Sequence, residues 1–192
     1  MICFRNFTTP LWEIFTGNLL LLFCSFCYLV WWFVSFNPNS SGGSAGMFFI
    51  AAAFISGIAA IFLTSSGINW LSQDSKSFPV KFILLGSAVV FLILLLVTTI
   101  VFHRMVTSEL LIIHIWAVLE LSMVVVLYGT GHFGFGRVAI LSALTGIAFV
   151  AGLICYILYY RLDGTASYWD GMIPLIIDAF VMSVFLGVLA VS

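Results

Sequence analysis

The chain has 192 residues, is 64% hydrophobic and 7% charged, carries a formal net charge of −1 and has a mean hydropathy of +1.27. A soluble domain needs a solvated polar surface that this composition does not supply, so a water-soluble globular protein is excluded. Six Lys and Arg against seven Asp and Glu give no basic surface for nucleic acid.

What the composition fits is an all-α, polytopic membrane protein with a single integral domain. A spanning helix needs roughly 20 apolar residues at about 1.5 Å of rise each. Runs of that kind, bounded by polar or glycine-rich breaks, predict six transmembrane helices at 17–36, 47–64, 80–102, 109–128, 138–160 and 171–191. The connections between them are too short to form a second domain.

The first run follows Arg5 and invites comparison with a secretory signal. It continues through Trp31 and Trp32 without a small-residue cleavage site, and Glu13 interrupts its start, so a retained helix is expected and a mature chain beginning near Met1. Cys24 and Cys27 make a C-x-x-C spacing inside this helix. A membrane thiol redox enzyme would need thiolate character and an accessible exchange partner, whereas an apolar helix favours cysteines packed as small hydrophobes.

Before the second helix, Gly42-Gly43-Ser44-Ala45-Gly46 matches the serine-hydrolase elbow. That motif works by exposing serine on a strained strand-to-helix turn. Rhomboid intramembrane proteases also have six core helices, but here the serine precedes the second helix and the sixth contains no histidine, so a loop is expected.

Within the second helix, Ser56-Gly57-Ile58-Ala59 recurs as Thr145-Gly146-Ile147-Ala148 in the fifth. Trp70, Asp74 and Pro79 precede the third helix much as Trp169, Asp170 and Pro174 precede the sixth. One reading is a three-plus-three inverted repeat of the transporter kind, and the other is shared apolar composition. Gly57, Ala59 and Ala60, and then Gly146, Ala148, Ala151 and Gly152, remove bulk so that helices approach closely or leave room for a solute.

The fourth helix carries Glu120, eleven residues after Glu109 and so roughly 16 Å along the axis, near mid-bilayer. Asp178 lies seven residues after Gly171, roughly 10 Å into the sixth helix from the same side. An ionised carboxylate at the helix centre costs about 2.5 to 3.5 kcal/mol on insertion scales, and the centres of the runs contain no Lys or Arg. Protonation, interhelical hydrogen bonding or an aqueous cavity are the available remedies, and the two acids are candidates for lining one cavity. Intramembrane acids mark solute or proton pathways by default; interhelical glue is the alternative. Pro174 and Asp170 are expected at the start of the sixth helix, with Asp170 as a cap.

Trp116, four residues before Glu120, shares its face, with Ile113, Val124 and Leu127 continuing the stripe. His114 lies six positions before Glu120 and is turned about 120° away, either as a relay member or as a hydrogen-bonded interhelical residue. The loop Gly129-Thr130-Gly131-His132-Phe133-Gly134 satisfies a dinucleotide-binding pattern but lacks the strand-helix-strand unit. A tight or partly re-entrant loop is expected instead, with His132 and Arg137 as a polar gate. Four Cys and three scattered His give no ligand set for zinc or haem, so no metal and no cofactor are expected.

Basic residues favour the cytoplasmic side. Arg5, Lys76, Lys81 and Arg137 fall on one side and Arg104 and Arg161 on the other, which places both termini in the cytoplasm. The short polar loop before an apolar second helix is similar in layout to the urea and amide channels, and that resemblance implies a small-solute channel. The tryptophan distribution and the polar residues of the first helix depart from that family, so no site residue is carried over.

The functional expectation is a channel or transporter of a small solute or protons in the cell membrane, with Glu120, Asp178, His114 and Trp116 along the pathway. The expected partners are the bilayer, the solute or protons, and a second copy of the chain. A structural or regulatory membrane subunit is the alternative, and a thiol redox enzyme a weaker one.

Overall fold

The structure is a computed structural model that describes residues 8–36, 44–74, 80–101, 108–159 and 161–191. Arg5, Lys76, Pro79, Arg104 and the first two glycines of the 42–46 run lie outside the described residues. The helices are α1 (Thr9–Phe36), α2 (Ser44–Asp74), α3 (Val80–Val101), α4 (Ser108–Gly129), α5 (Phe135–Tyr159) and α6 (Thr165–Val191), with no strand among the described residues. In hydrocarbon, a backbone N–H or C=O must find its partner inside its own segment, and the α-helix is the structure that achieves this without a closed barrel. Among the described residues, α1, α2, α4, α5 and α6 are long and apolar enough to cross a membrane. Phe23, Phe54, Phe62, Ile147 and Phe180 point outward from these helices, an apolar exterior suited to lipid rather than water. The protein is an all-α, multi-pass integral membrane protein.

Several helices run past the apolar runs that predict them. α1 begins at Thr9 rather than 17, α2 continues to Asp74 rather than stopping at 64, and α6 begins at Thr165 rather than 171. Hydropathy marks the hydrocarbon thickness, about 30 Å, whereas the helices continue into the interfacial layers where Thr, Ser, Asn and Trp are at home. One consequence is a correction: Pro174 lies inside α6, not at its start, and Asp170 is a buried residue of the helix rather than its cap. The helix starts instead after Gly164, whose φ of 63° makes the turn from α5.

α1 and α2 form the most extensive helix pair, and glycine explains their closeness. A Cβ at Gly67 would meet the Pro10 carbonyl and Ile14 Cγ1 at 2.8 Å, and one at Gly17 would meet the Thr64 nitrogen at 3.0 Å and the Ala60 carbonyl at 3.1 Å. Gly57 faces Cys24 Sγ at 3.3 Å and Gly46 faces Ser35 Oγ at 3.0 Å. As α1 advances α2 retreats along this seam, which is the register of an antiparallel pair brought into backbone contact by small residues.

α4 is the central helix: 56% of its spanning window is buried, against 22–33% in the other spanning helices. α5 packs on α4 and α6, α6 also packs on α1, and α3 packs on α4. The turn from α4 to α5 is tight. Thr130 N–H donates to the Val126 carbonyl, Gly131 N–H to Tyr128 and Phe133 N–H to Leu127, with Gly131 at a φ of 79°. Phe133 then drops into the core edge-on to Phe185, with ring centroids 6.2 Å apart.

The two halves of the chain are not packed alike. Ser56 and Thr145 are both buried and donate back to the carbonyls of Ala52 and Leu141. Gly57 seats Cys24, however, while a Cβ at Gly146 would have nothing within 4 Å. The sequence match at these positions does not extend to shared contacts.

Candidate functional site

A cavity of about 390 Å³ occupies one half of the bundle, between the C-terminal half of α1, the N-terminal halves of α2, α4 and α6, and the C-terminal half of α5. Its walls are mostly apolar. The polar groups that reach it include Ser25, Tyr28, Tyr156, Asp170 and Asp178. Phe54 and Ile58 of α2 and Ile112 and Ile115 of α4 line it and are also exposed on the outer surface. Among the described residues, the cavity therefore opens sideways between α2 and α4.

Local sequence shapes the polar end. Pro174 has no N–H to give the carbonyl of Asp170, four residues back, so the first turns of α6 lack one rung beside the cavity. Gly171 gives Trp32 room to lie against α6, since a Cβ there would meet Trp32 Cζ2 at 2.6 Å, and Trp32 Nε1 donates to the Tyr168 carbonyl at 3.2 Å. Cys155 and Asp170 both line this end of the cavity, and Asp170 Oδ2 is buried without a partner.

The early start of α6 changes the depth of Asp178. It lies thirteen residues beyond Thr165, and Glu120 lies twelve beyond Ser108, so they sit at roughly 20 and 18 Å along helices that run in the same direction. They do not share the cavity wall: Asp178 lines it and Glu120 does not. Glu120 is fully buried outside it, where Asn18 Nδ2 of α1 donates to Glu120 Oε1 at 3.2 Å and lies 3.7 Å from Met123 Sδ. Glu120 Oε2 and Asn18 Oδ1 are buried without partners.

The other half of the bundle holds a buried apolar cluster among the described residues. Leu11, Ile14, Ile68, Met123, Leu127, Phe133 and Phe185 belong to it. The arrangement is a lateral cavity in one half, a polar layer near mid-membrane and a dense plug in the other half.

Trp116 lines the cavity, and Ile113, Val124 and Leu127 of its stripe are buried with it as the spacing predicts. His114 points elsewhere, between Phe91 of α3 at 5.2 Å and Phe149 of α5 at 6.0 Å. His132 and Arg137 lie at the opposite end of α4 and α5 from the cavity. The His132 ring is held by Thr130 Oγ1 at 2.8 Å, and Arg137 is exposed. Cys24 reaches the cavity and contacts Ser56, and Cys27 is buried; both are free thiols. No group of His, Cys, Asp and Glu suited to a metal occurs among the described residues.

Two residues of the site escape a reading of the sequence alone. Asn18 carries a signal, an amide placed among leucines, but nothing in the chain names its partner 102 residues away. Asp170 reads as a cap because Pro174 resembles a helix start. Comparison of the chain with protein-family models, with curated proteins and with solved structures finds no match.

Proposed function

We propose that this protein is a carrier that couples movement of a small solute to protons across the cell membrane, with both termini in the cytoplasm. The observation that supports the reading is the asymmetry of the bundle: a cavity lies in one half, the buried Asn18–Glu120 pair lies outside its wall, and a buried apolar cluster occupies the other half among the described residues. A carrier in one of its two access states requires this, whereas an open channel requires a continuous passage. Proton exchange at Glu120 would alter the bonding between α1 and α4. An ionised carboxylate is acceptor-only, so Oε2 has nothing to offer Asn18 Oδ1; a protonated one gains a donor, and both unpartnered atoms then have complementary chemistry. Asp178, on the cavity wall, is the group through which a solute would influence that exchange.

The same hydrogen bond favours a second reading, a structural or regulatory subunit in which Asn18 and Glu120 only hold helices together. Reconstitution decides between them. Proteoliposomes loaded with a pH-sensitive dye should show proton movement when a member of a small-solute panel is added, above protein-free vesicles. Proton movement indistinguishable from empty vesicles across neutral, anionic and cationic solutes would refute the carrier and leave the structural reading.

A further inference from the structure

We propose that the cavity takes lipophilic organic cations from the bilayer, with the Asp170 and Asp178 carboxylates on its wall attracting their charge. The proposal rests on the carrier reading for turnover, but the binding step stands on the cavity itself.

Charge is the first argument. Asp170 and Asp178 are 6% and 8% exposed, and both line the cavity, yet no Lys or Arg does among the described residues. The Asp170 Oδ2 oxygen is buried with no hydrogen-bond partner. Buried carboxylates are tolerated where a counter-charge or hydrogen bonds satisfy them, and here the described protein supplies neither in full. An anionic ligand would add repulsion to that deficit, and a cation would remove it.

Surface chemistry is the second argument. Tyr28, Trp32, Trp116 and Tyr159 contribute aromatic rings to the same wall. Aromatic faces attract quaternary ammonium and related soft cations, by more when both are desolvated. A small, strongly hydrated cation prefers a full shell of oxygens, whereas beside the two carboxylates the lining offers the hydroxyls of Ser25, Tyr28, Tyr156 and Tyr159 dispersed among mostly apolar side chains.

Access is the third argument. The mouth lies on the lipid-facing side between Ile58 of α2 and Ile112 of α4, which are 56% and 55% exposed. A ligand arriving this way must partition into the membrane, which selects an apolar body around the charge. A 390 Å³ cavity is within the usual size of small-molecule sites.

The test compares two molecules of one shape. Tritiated benzyltrimethylammonium is bound to the full-length protein in nanodiscs and displaced either by unlabelled benzyltrimethylammonium or by neopentylbenzene, in which carbon replaces the ammonium nitrogen. Saturable binding displaced by the cation and not by the hydrocarbon is expected, with affinity at least tenfold lower in Asp178→Asn and in Asp170→Asn. Ile58→Trp narrows the mouth at a lipid-exposed position and leaves both acids in place, so it should slow association several-fold even if an Asp variant does not fold. Absence of saturable binding, equal displacement by neopentylbenzene, unchanged affinity in both folded Asp variants or unchanged association in Ile58→Trp would each overturn the proposal. Cation binding without any proton-coupled flux would refute the carrier alone. Flux of a different solute class without cation binding would refute this inference alone.

Discussion

Replacing Gly67 by Ala adds one methyl group to the closest point between α1 and α2. The new Cβ would stand 2.8 Å from the Pro10 carbonyl oxygen and from Ile14 Cγ1, where ordinary van der Waals contact begins at 3.4 Å. The carbonyl is backbone and cannot rotate away, so the helices must separate or tilt. Overpacking of this kind costs about 1 to 3 kcal/mol, against a gain of up to about 1 kcal/mol from the better helix propensity of Ala. A net loss of about 1 to 2 kcal/mol is expected. Gly17→Ala should cost a comparable amount, because its Cβ would collide with the Oγ1 of fully buried Thr64 and stand 3.0 and 3.1 Å from the Thr64 nitrogen and the Ala60 carbonyl. Gly57→Ala should be close to neutral, since Cys24 Sγ at 3.3 Å is the end of a side chain. Gly146→Ala, with nothing within 4 Å, should be neutral or slightly stabilising. Reversible unfolding in mixed micelles, followed by circular dichroism against the mole fraction of denaturing detergent, measures the series. If Gly67→Ala unfolds with Gly146→Ala, the α1–α2 seam is not as close as described and the placement of Asn18 against α4 fails with it.

Asn18→Leu keeps the size of the side chain and removes the donor to Glu120, so a loss of about 0.6 to 1.7 kcal/mol is expected in the same assay, with coupling to flux impaired. A double-mutant cycle with Glu120→Gln should show non-additive stability, and strict additivity would mean that the two residues do not interact. Phe133→Ala empties a fully enclosed site beside Phe185 and should cost about 3 to 5 kcal/mol by the usual measure for buried aromatics. Wild-type stability in that variant would contradict the packed turn between α4 and α5. Replacing Cys24 and Cys27 together by Ala should leave flux intact, because one is buried and the other faces an apolar cavity; loss of a quinone-linked thiol oxidation would instead revive the redox reading.

The helices are legible in the sequence because hydrocarbon admits few alternatives, and a run such as 138–160 can hardly be anything else in a membrane. Their ends are less so, since Thr9, Trp12 and Glu13 in α1, and Asn69 and Gln73 in α2, are polar residues that interfacial helix tolerates. That difference matters at α6, where a start at Thr165 carries Asp178 down to the level of Glu120. Glu120 and Asp178 stand out by charge alone. Their separation onto a plugged polar layer and a cavity wall depends on which face of α4 meets α1, and a helix that is apolar all round does not reveal its orientation. The glycine seam is hidden for a related reason: Gly17, Gly67 and Gly146 look alike in sequence, and only the partner helix shows that two are filled contacts and one faces outward.

The central claim is that Glu120 exchanges the proton that couples solute movement. It is tested most directly by comparing wild type and Glu120→Gln in dye-loaded proteoliposomes with a solute the wild type carries. Gln keeps the shape and a hydrogen bond to Asn18 but cannot exchange a proton. The account predicts a correctly inserted variant, of near wild-type stability, in which solute-dependent proton movement is abolished. Wild-type coupled flux in Glu120→Gln would contradict the account.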